Sequence, residues 1–239
     1  MKEDFELRLR NLSNEIGITL NDQQVELFYN YMNLLLDWNS KINLTAITEQ
    51  NDIILKHFID SMTVFDYLKD VKSIVDVGTG AGFPGIPIGI MCEDKKITLM
   101  DSLNKRIKFL DDVIEKNNLN NIVTIHSRAE DLGKNDIYRE NFDVAISRAV
   151  ANLATLVEYM LPLVKVGGKC ICMKGQDIKK EIKDSEIAIE ILGGEIETID
   201  EFCLPGTEMK RNILVIRKIK KTNNKYPRKA GIPLKEPLK

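Results

Sequence analysis

The sequence predicts an α/β fold: a doubly wound sheet of seven strands, parallel but for an antiparallel edge, with a helical extension at the N-terminus. Three observations predict it. From residue 73 onward, apolar runs of strand length alternate with helical stretches, and such alternation stacks parallel strands between two layers of helices. The first run, Ser73–Val77, stops at the glycine-rich turn Gly78-Thr-Gly-Ala-Gly82 and gives way to a helix. The last two runs, 195–202 and 212–218, are separated only by a short turn around Pro205-Gly206. That is too little chain for a parallel crossover, so they pair antiparallel at an edge.

Residues 4–12 and 22–38 read as helices, the second opening with Asn21 and Gln24 at capping-box spacing. Its apolar positions Val25, Phe28, Tyr31 and Leu35, with Met32 and Trp38, form one helical stripe and read as core. After 39–47 a further helix runs through 53–68 and carries His57, Asp60 and Ser61. Strand Ser73–Val77 feeds a helix starting near Pro84, where the first helical residue needs no amide proton. Strand 96–101 and helix 105–116 follow, then strands 122–126 and 142–147, helix 153–164, strand 169–174 and helix 178–191, before the final pair. The organisation expected is a helical extension over 1–70 packed on a core of 71–218, then a basic segment over 219–239. No second domain is required.

With 239 residues and 44% hydrophobic content, the chain can bury one ordinary core. The longest uncharged run, 77–92, is punctured by Gly and Pro and falls short of the roughly 20 residues of a membrane span. The N-terminus mixes both charges without an apolar signal core, which points to the cytoplasm. Cys92, Cys170, Cys172 and Cys203 lack CxxC spacing and read as buried thiols, so no metal site is expected. Charge is unevenly spread. The formal net charge is −2, yet the stretch from Arg217 to Lys239 holds nine Lys or Arg against the single acid Glu236. Such an end suits a polyanion, and Tyr226-Pro-Arg-Lys-Ala-Gly-Ile-Pro-Leu234 adds apolar and aromatic content that a merely solvated tail does not need.

The turn after the first strand carries the first chemical signal. Glycines without side chains let the backbone turn sharply and approach a ligand, beside the unpaired amides of a helix start. A dinucleotide reading through Gly80, Gly82 and Gly85 puts its first glycine three residues past the strand, the wrong register for NAD. Read from the strand end, Asp76 precedes Gly78, Gly80 and Gly82 as acid, one residue, GxGxG. That pattern resembles the first motif of S-adenosylmethionine-dependent methyltransferases, in which the acid and glycines hold the methionine end of the cofactor. A parallel sheet finished by an antiparallel last strand resembles their architecture too.

Open α/β sheets bind ligands beyond the C-terminal ends of their strands, which selects the next candidates. Asp101 ends the second strand, where an acid accepts hydrogen bonds from ribose hydroxyls in either cofactor class. Glu130, in Ser127-Arg-Ala-Glu-Asp131, stands where methyltransferases contact adenine, unless it merely caps a helix. His126 reads as structural. At the fourth strand end stands Ser147-Arg-Ala-Val150, in place of the Asn/Asp-Pro-Pro-aromatic turn of enzymes that methylate exocyclic amines, and with no cysteine for attack on pyrimidine carbon. Guanine N7 owns an accessible lone pair and needs no general base, so alignment with the sulfonium methyl would suffice.

Trp38-Asn-Ser-Lys-Ile-Asn-Leu-Thr-Ala46, Lys56-His-Phe-Ile-Asp-Ser61, Asp76-Val-Gly-Thr-Gly-Ala-Gly-Phe-Pro-Gly85, Ser127-Arg-Ala-Glu130, Ser147-Arg-Ala-Val-Ala151, Met173-Lys-Gly175 and the Tyr226-Pro-Arg-Lys-Ala-Gly-Ile-Pro segment together resemble one family over nearly the whole chain. It is the RsmG (GidB) family, the bacterial guanine-N7 methyltransferases of small-subunit ribosomal RNA. The resemblance implies the seven-stranded S-adenosylmethionine-dependent methyltransferase fold and 16S ribosomal RNA as partner, for a cytoplasmic, monomeric enzyme. It implies that Gly78, Phe83, Ala129, Glu130 and Arg148 line the cofactor site, and that Asn39, Lys174 and Arg211 stand near RNA. Arg228 and Lys229 of the basic segment join that RNA-facing set, and removal of residues 223–239 is expected to weaken RNA binding and spare cofactor binding. A small-molecule methyltransferase would share the cofactor loop but not explain the basic C-terminus. A non-enzymatic RNA-binding protein would not need an intact acid and GxGxG.

Overall fold

The computed structural model describes residues 2–148, 151–175 and 178–238; Ala149 and Val150 of the fourth-strand motif, and Lys239 of the basic segment, lie outside the described residues. Seven strands form one sheet: β1 (Ser73–Val77), β2 (Lys96–Asp101), β3 (Ile122–His126), β4 (Phe142–Arg148), β5 (Val164–Lys174), β6 (Gly194–Cys203) and β7 (Lys210–Lys218). Their order is β3-β2-β1-β4-β5-β7-β6, with β7 antiparallel to both β5 and β6. The order reverses between β1 and β4, which pair in parallel through Ile74–Val144, Val75–Ala145 and Asp76–Ile146. That reversal fixes where a ligand crevice opens.

Alternation along β1 sorts the two halves of the core. Ile74 joins a cluster with Phe5, Phe28, Tyr31, Phe58 and Phe109 on one face. Val75 and Val77 join Leu156, Met160, Cys170, Cys172 and Leu214 on the other. The N-terminal helices Lys2–Glu15 and Asp22–Asn39 therefore complete the first face, and the capping box of Asn21 and Gln24 forms at the start of the second helix. Of the four cysteines expected to be buried, Cys203 is exposed at the end of β6, where the edge strand turns one face to solvent.

The helix expected over 53–68 is interrupted. Gln50–Ile53 is α-helical, Ile54–Ile59 is a π-helical turn, Asp60–Met62 returns to α and Phe65–Leu68 is a 3₁₀ turn. π-turns of this length mark places where a helix is bent to aim particular groups. Here they are Lys56, His57 and Asp60. The helix expected over 178–191 is likewise two short ones, Lys179–Lys183 and Glu186–Leu192.

The basic segment is docked on the second face. Tyr226 is buried, and the Arg139 guanidinium donates to the carbonyls of Gly133, Thr222 and Tyr226 at 2.6, 2.8 and 2.8 Å. Lys218, counted among the charges that suit a polyanion, has no exposed surface: its ammonium donates to Thr222 Oγ1 at 2.6 Å and pairs with Glu140 at 3.1 Å.

Candidate active site

Two clefts open beyond the strand ends. The first, of about 350 Å³, is walled by Gly78 after β1, Asp101 at the end of β2, Ala129 and Glu130 after β3, and Tyr159 with Leu234. Four of the residues expected at the cofactor are thus brought together. Asp101 is already engaged by its own neighbourhood, accepting from the amides of Gly80 and Leu103 at 3.0 and 2.9 Å and from Arg106 Nη1 at 3.1 Å. Glu130 Oε1 accepts from the Gly231 amide at 2.8 Å. Burial, then the nearby Glu130 charge, pushes the Tyr159 hydroxyl up to about 12, so it stays a hydrogen-bond donor.

Asp76, Gly80 and Gly82 belong to the strand end and turn beside this cleft. Asp76 is fully buried; its Oδ2 accepts from Thr79 Oγ1 at 2.7 Å and the Gly85 amide at 2.8 Å, while its buried Oδ1 has no partner. Burial raises its carboxyl to about 6 against those two donors. Gly80 and Gly82 both have positive φ, but their surroundings differ. A Cβ at Gly80 would meet nothing within 4 Å, whereas one at Gly82 would lie 2.6 Å from Ile86 Cγ1 and 2.8 Å from the Tyr31 hydroxyl. Packing inside the turn therefore demands glycine at position 82. The Tyr31 hydroxyl donates to the Ala81 carbonyl and ties the second N-terminal helix to the turn.

The second cleft, of about 330 Å³, brings Arg148, Lys174 and Arg211 together with His57 and Asp60. Arg148, expected at the cofactor, stands here at the end of β4. Its Nη1 donates to Asp60 Oδ2 at 3.1 Å and to the Lys56 carbonyl at 3.0 Å, its Nη2 lies 3.1 Å from His57 Nδ1, and the guanidinium rests 4.9 Å above the Phe83 ring. Asp60 Oδ1 accepts from Arg211 Nε at 3.0 Å, so one buried carboxylate holds both arginines. Phe83 faces neither cleft; it stacks on His57 with ring centroids 4.3 Å apart. Burial, reinforced by the Arg148 charge, lowers His57 to about 3. The imidazole is neutral, with Nδ1 accepting from Arg148 and Nε2–H donating to Thr45 Oγ1 at 2.9 Å.

Three RNA-facing candidates are otherwise employed. Asn39 Oδ1 accepts from the amides of Leu44 and Thr45 at 2.8 and 3.0 Å, which fixes the loop that brings Thr45 to His57. The Lys174 ammonium donates to the Ala151 carbonyl at 2.9 Å and pairs with Glu181 at 2.8 Å. The Arg228 guanidinium grips Glu158, which has no exposed surface, through Nε at 3.0 Å and Nη2 at 2.7 Å. A buried carboxylate without a partner is very unfavourable, so this arginine is held inward. Lys229 remains exposed. Sequence reasoning misses the parts that Tyr31, Glu158 and Tyr159 play around the clefts. Each is a polar group inside an apolar helical stripe, and such a group has to find a partner.

The family model described as GidB, rRNA small subunit methyltransferase G, matches residues 24–214 of this chain. The Ribosomal RNA small subunit methyltransferase G of Acetivibrio thermocellus is 50% identical over 241 residues, covering 99% of each chain. That of Clostridium botulinum strain Alaska E43 is 52% identical over 229 residues, covering 95% of this chain and 96% of its own. Among solved structures, a 16S rRNA (adenine(1408)-N(1))-methyltransferase variant from Catenulisporales acidiphilia with its cosubstrate SAM superposes with TM-score 0.51 at 15% identity, over 64% of this chain and 87% of its own. A SAM dependent methyltransferase from Aquifex aeolicus gives TM-score 0.51 at 15% identity, over 69% and 92%. At such identities these two speak for the fold.

Proposed function

The chain belongs to the family of rRNA small subunit methyltransferase G, and from that premise we propose that it transfers the methyl group of S-adenosylmethionine to N7 of a guanine in 16S ribosomal RNA. The observation that carries this reading is the pair of clefts at the reversal of strand order. Gly78, just past β1, walls one and Arg148, ending β4, walls the other, while Ser147 Oγ donates to the Val77 carbonyl at 2.7 Å between them.

The residues present fit the cofactor. Open space faces Gly80, a buried acceptor stands without a donor at Asp76 Oδ1, and Asp101 and Glu130 offer carboxylates in the cleft where ribose and adenine would lie. S-adenosylmethionine, when bound, supplies an electrophilic methyl on a positively charged sulfur. The chain's own part is alignment. Arg148 and Arg211, fixed by Asp60, present positive charge to the phosphates around the target base, and the stacked, neutral His57 gives Arg148 a rigid seat. Both His57 nitrogens are engaged, so the cleft holds no histidine base. A lone-pair nucleophile such as guanine N7 needs none.

We read the protein as a monomer acting in the cytoplasm, where ribosomal RNA is modified. No helix among the described residues is long and apolar enough to cross a membrane. The test is to map N7-methylguanine in 16S RNA from cells lacking this protein, with and without the gene restored. One such guanine should vanish and return. An unchanged modification map would remove the reading.

A further inference from the structure

The C-terminal segment, beyond the matched 24–214 region, is built into the first cleft. Gly231 and Leu234 line it beside Gly78, Asp101 and Glu130. Leu234 keeps 60% of its surface exposed, directly after the buried Pro233. Beside the carboxylates of Asp101 and Glu130, Leu234 gives the cleft the kind of apolar lining that small-molecule sites mostly have.

The anchoring is extensive and internal. Pro227 packs on Gly133 so closely that a Cβ at Gly133 would lie 2.8 Å from Pro227 Cγ. Arg139 donates to carbonyls of Thr222 and Tyr226, Arg228 is clamped on Glu158, and Thr155 Oγ1 donates to the Pro233 carbonyl at 2.9 Å. Glu130 then joins segment to cleft, because the carboxylate that faces the ligand space also holds the Gly231 amide at 2.8 Å. Its neighbour Tyr159 stands on the helix that carries Glu158. A ligand on Glu130 and a segment on Glu130 thus share one side chain.

Resting on the cofactor assignment under the proposed function, we propose that residues 231–234 form the outer wall of the cofactor site, with Leu234 covering the ligand and Gly231 positioning Glu130, so that cofactor binding and docking of the segment stabilise one another. This reverses the expectation that removal of 223–239 spares cofactor binding. Linkage requires the effect to be mutual: whatever the docked segment adds to cofactor affinity, the cofactor adds to docking.

The experiment compares S-adenosylhomocysteine binding by titration calorimetry in the full chain, in a chain ending at residue 222, and in Leu234→Glu. Leu234 is mostly exposed, so that substitution leaves the fold intact even where truncation does not. Both variants are expected to bind at least tenfold more weakly. In parallel, trypsin cleavage after Lys225, Lys229 and Lys235 in the full chain should slow at least severalfold with saturating S-adenosylhomocysteine. Equal affinity in Leu234→Glu, or cleavage indifferent to ligand, overturns the proposal and leaves the cofactor assignment standing. Failure of the full chain itself to bind overturns both.

Discussion

Arg148 and His57 share a hydrogen bond of 3.1 Å between a guanidinium and Nδ1 of a neutral imidazole, both side chains lying against Phe83. The histidine therefore serves the arginine as a fixed acceptor, and its protonation would set two cations in contact.

This arrangement makes stability pH-dependent with a definite sign. His57 binds a proton near 6.5 when unfolded and near 3 when folded. Its contribution is constant above about pH 6.5, and destabilisation grows as pH falls from there towards 3. His57→Gln should flatten the fall in melting temperature across that window. Single-turnover methyl transfer in the parent should stay level from pH 6.5 to 8. A rate that tracks an ionisation in that range, and loses it in His57→Gln, would contradict catalysis without a base.

Asp76 has the opposite sign. Its carboxyl is raised to about 6 from an unfolded 3.8, so stability is fully present below pH 3.8 and declines as pH rises through 6, by about 3 kcal/mol at most. Asn at this position keeps an acceptor for Thr79 and Gly85 and replaces the unpartnered Oδ1 by an amide. Asp76→Asn should therefore gain in melting temperature relative to the parent at pH 8 more than at pH 4, while its cofactor affinity drops. Equal shifts at the two pH values would count against a buried, costly charge.

The two glycines with positive φ should separate binding from folding. Gly80→Val meets open space and costs about 1–2 kcal/mol for the left-handed backbone, yet should abolish calorimetric cofactor binding. Gly82→Ala should instead lower the melting temperature more steeply, because its Cβ collides with Ile86 and Tyr31. Undiminished affinity in a folded Gly80→Val protein would remove the turn from the site.

Arg148→Ala leaves Asp60 paired with Arg211 alone and should lower the melting temperature as well as slow turnover at saturating RNA. Adding Asp60→Asn removes the buried carboxylate charge that Arg148 shared in neutralising and keeps an acceptor for Arg211 Nε. The double variant should recover part of the melting temperature and none of the turnover. Recovery of turnover along with stability would make the arginine purely structural.

Charges in the C-terminal segment should divide by their partners. Neutralising the exposed Lys225, Lys229 and Lys235 together should make the salt dependence of RNA binding shallower by about 2, at about 0.7 for each phosphate left unneutralised on single-stranded RNA. Arg228→Ala should barely change that slope and should cost roughly 3 kcal/mol of stability through the abandoned Glu158. A steep loss of salt dependence in Arg228→Ala would place this guanidinium on RNA.

The strands are legible because each is a short apolar run bounded by glycines, polar residues or charge; β1, β2 and β3 begin and end where the residues alone place them. The end-of-strand rule likewise locates Gly78, Asp101, Glu130 and Arg148. It does not divide them between two clefts, since that depends on which side of the β1–β4 reversal each side chain leaves its strand. The destinations of long charged side chains are the least legible. Arg228, Lys218 and Lys174 read as free cations, and only the fold reveals Glu158, Glu140 and Glu181 beside them. The π-turn around His57 has no local signal, because Ile54–Ile59 has the composition of an ordinary buried helix.

The first cleft draws its wall from residue 78 and from residue 234. During synthesis, the glycine turn and its Tyr31 tether can form long before the ribosome has released the segment that closes the cleft. A nascent chain halted after β7 would own the whole sheet but only an unfinished pocket. Premature release would then yield a product with an open cleft and an unpartnered Glu158, so damage at the far C-terminus would be felt at a site whose glycine-rich motif lies in the first half of the protein.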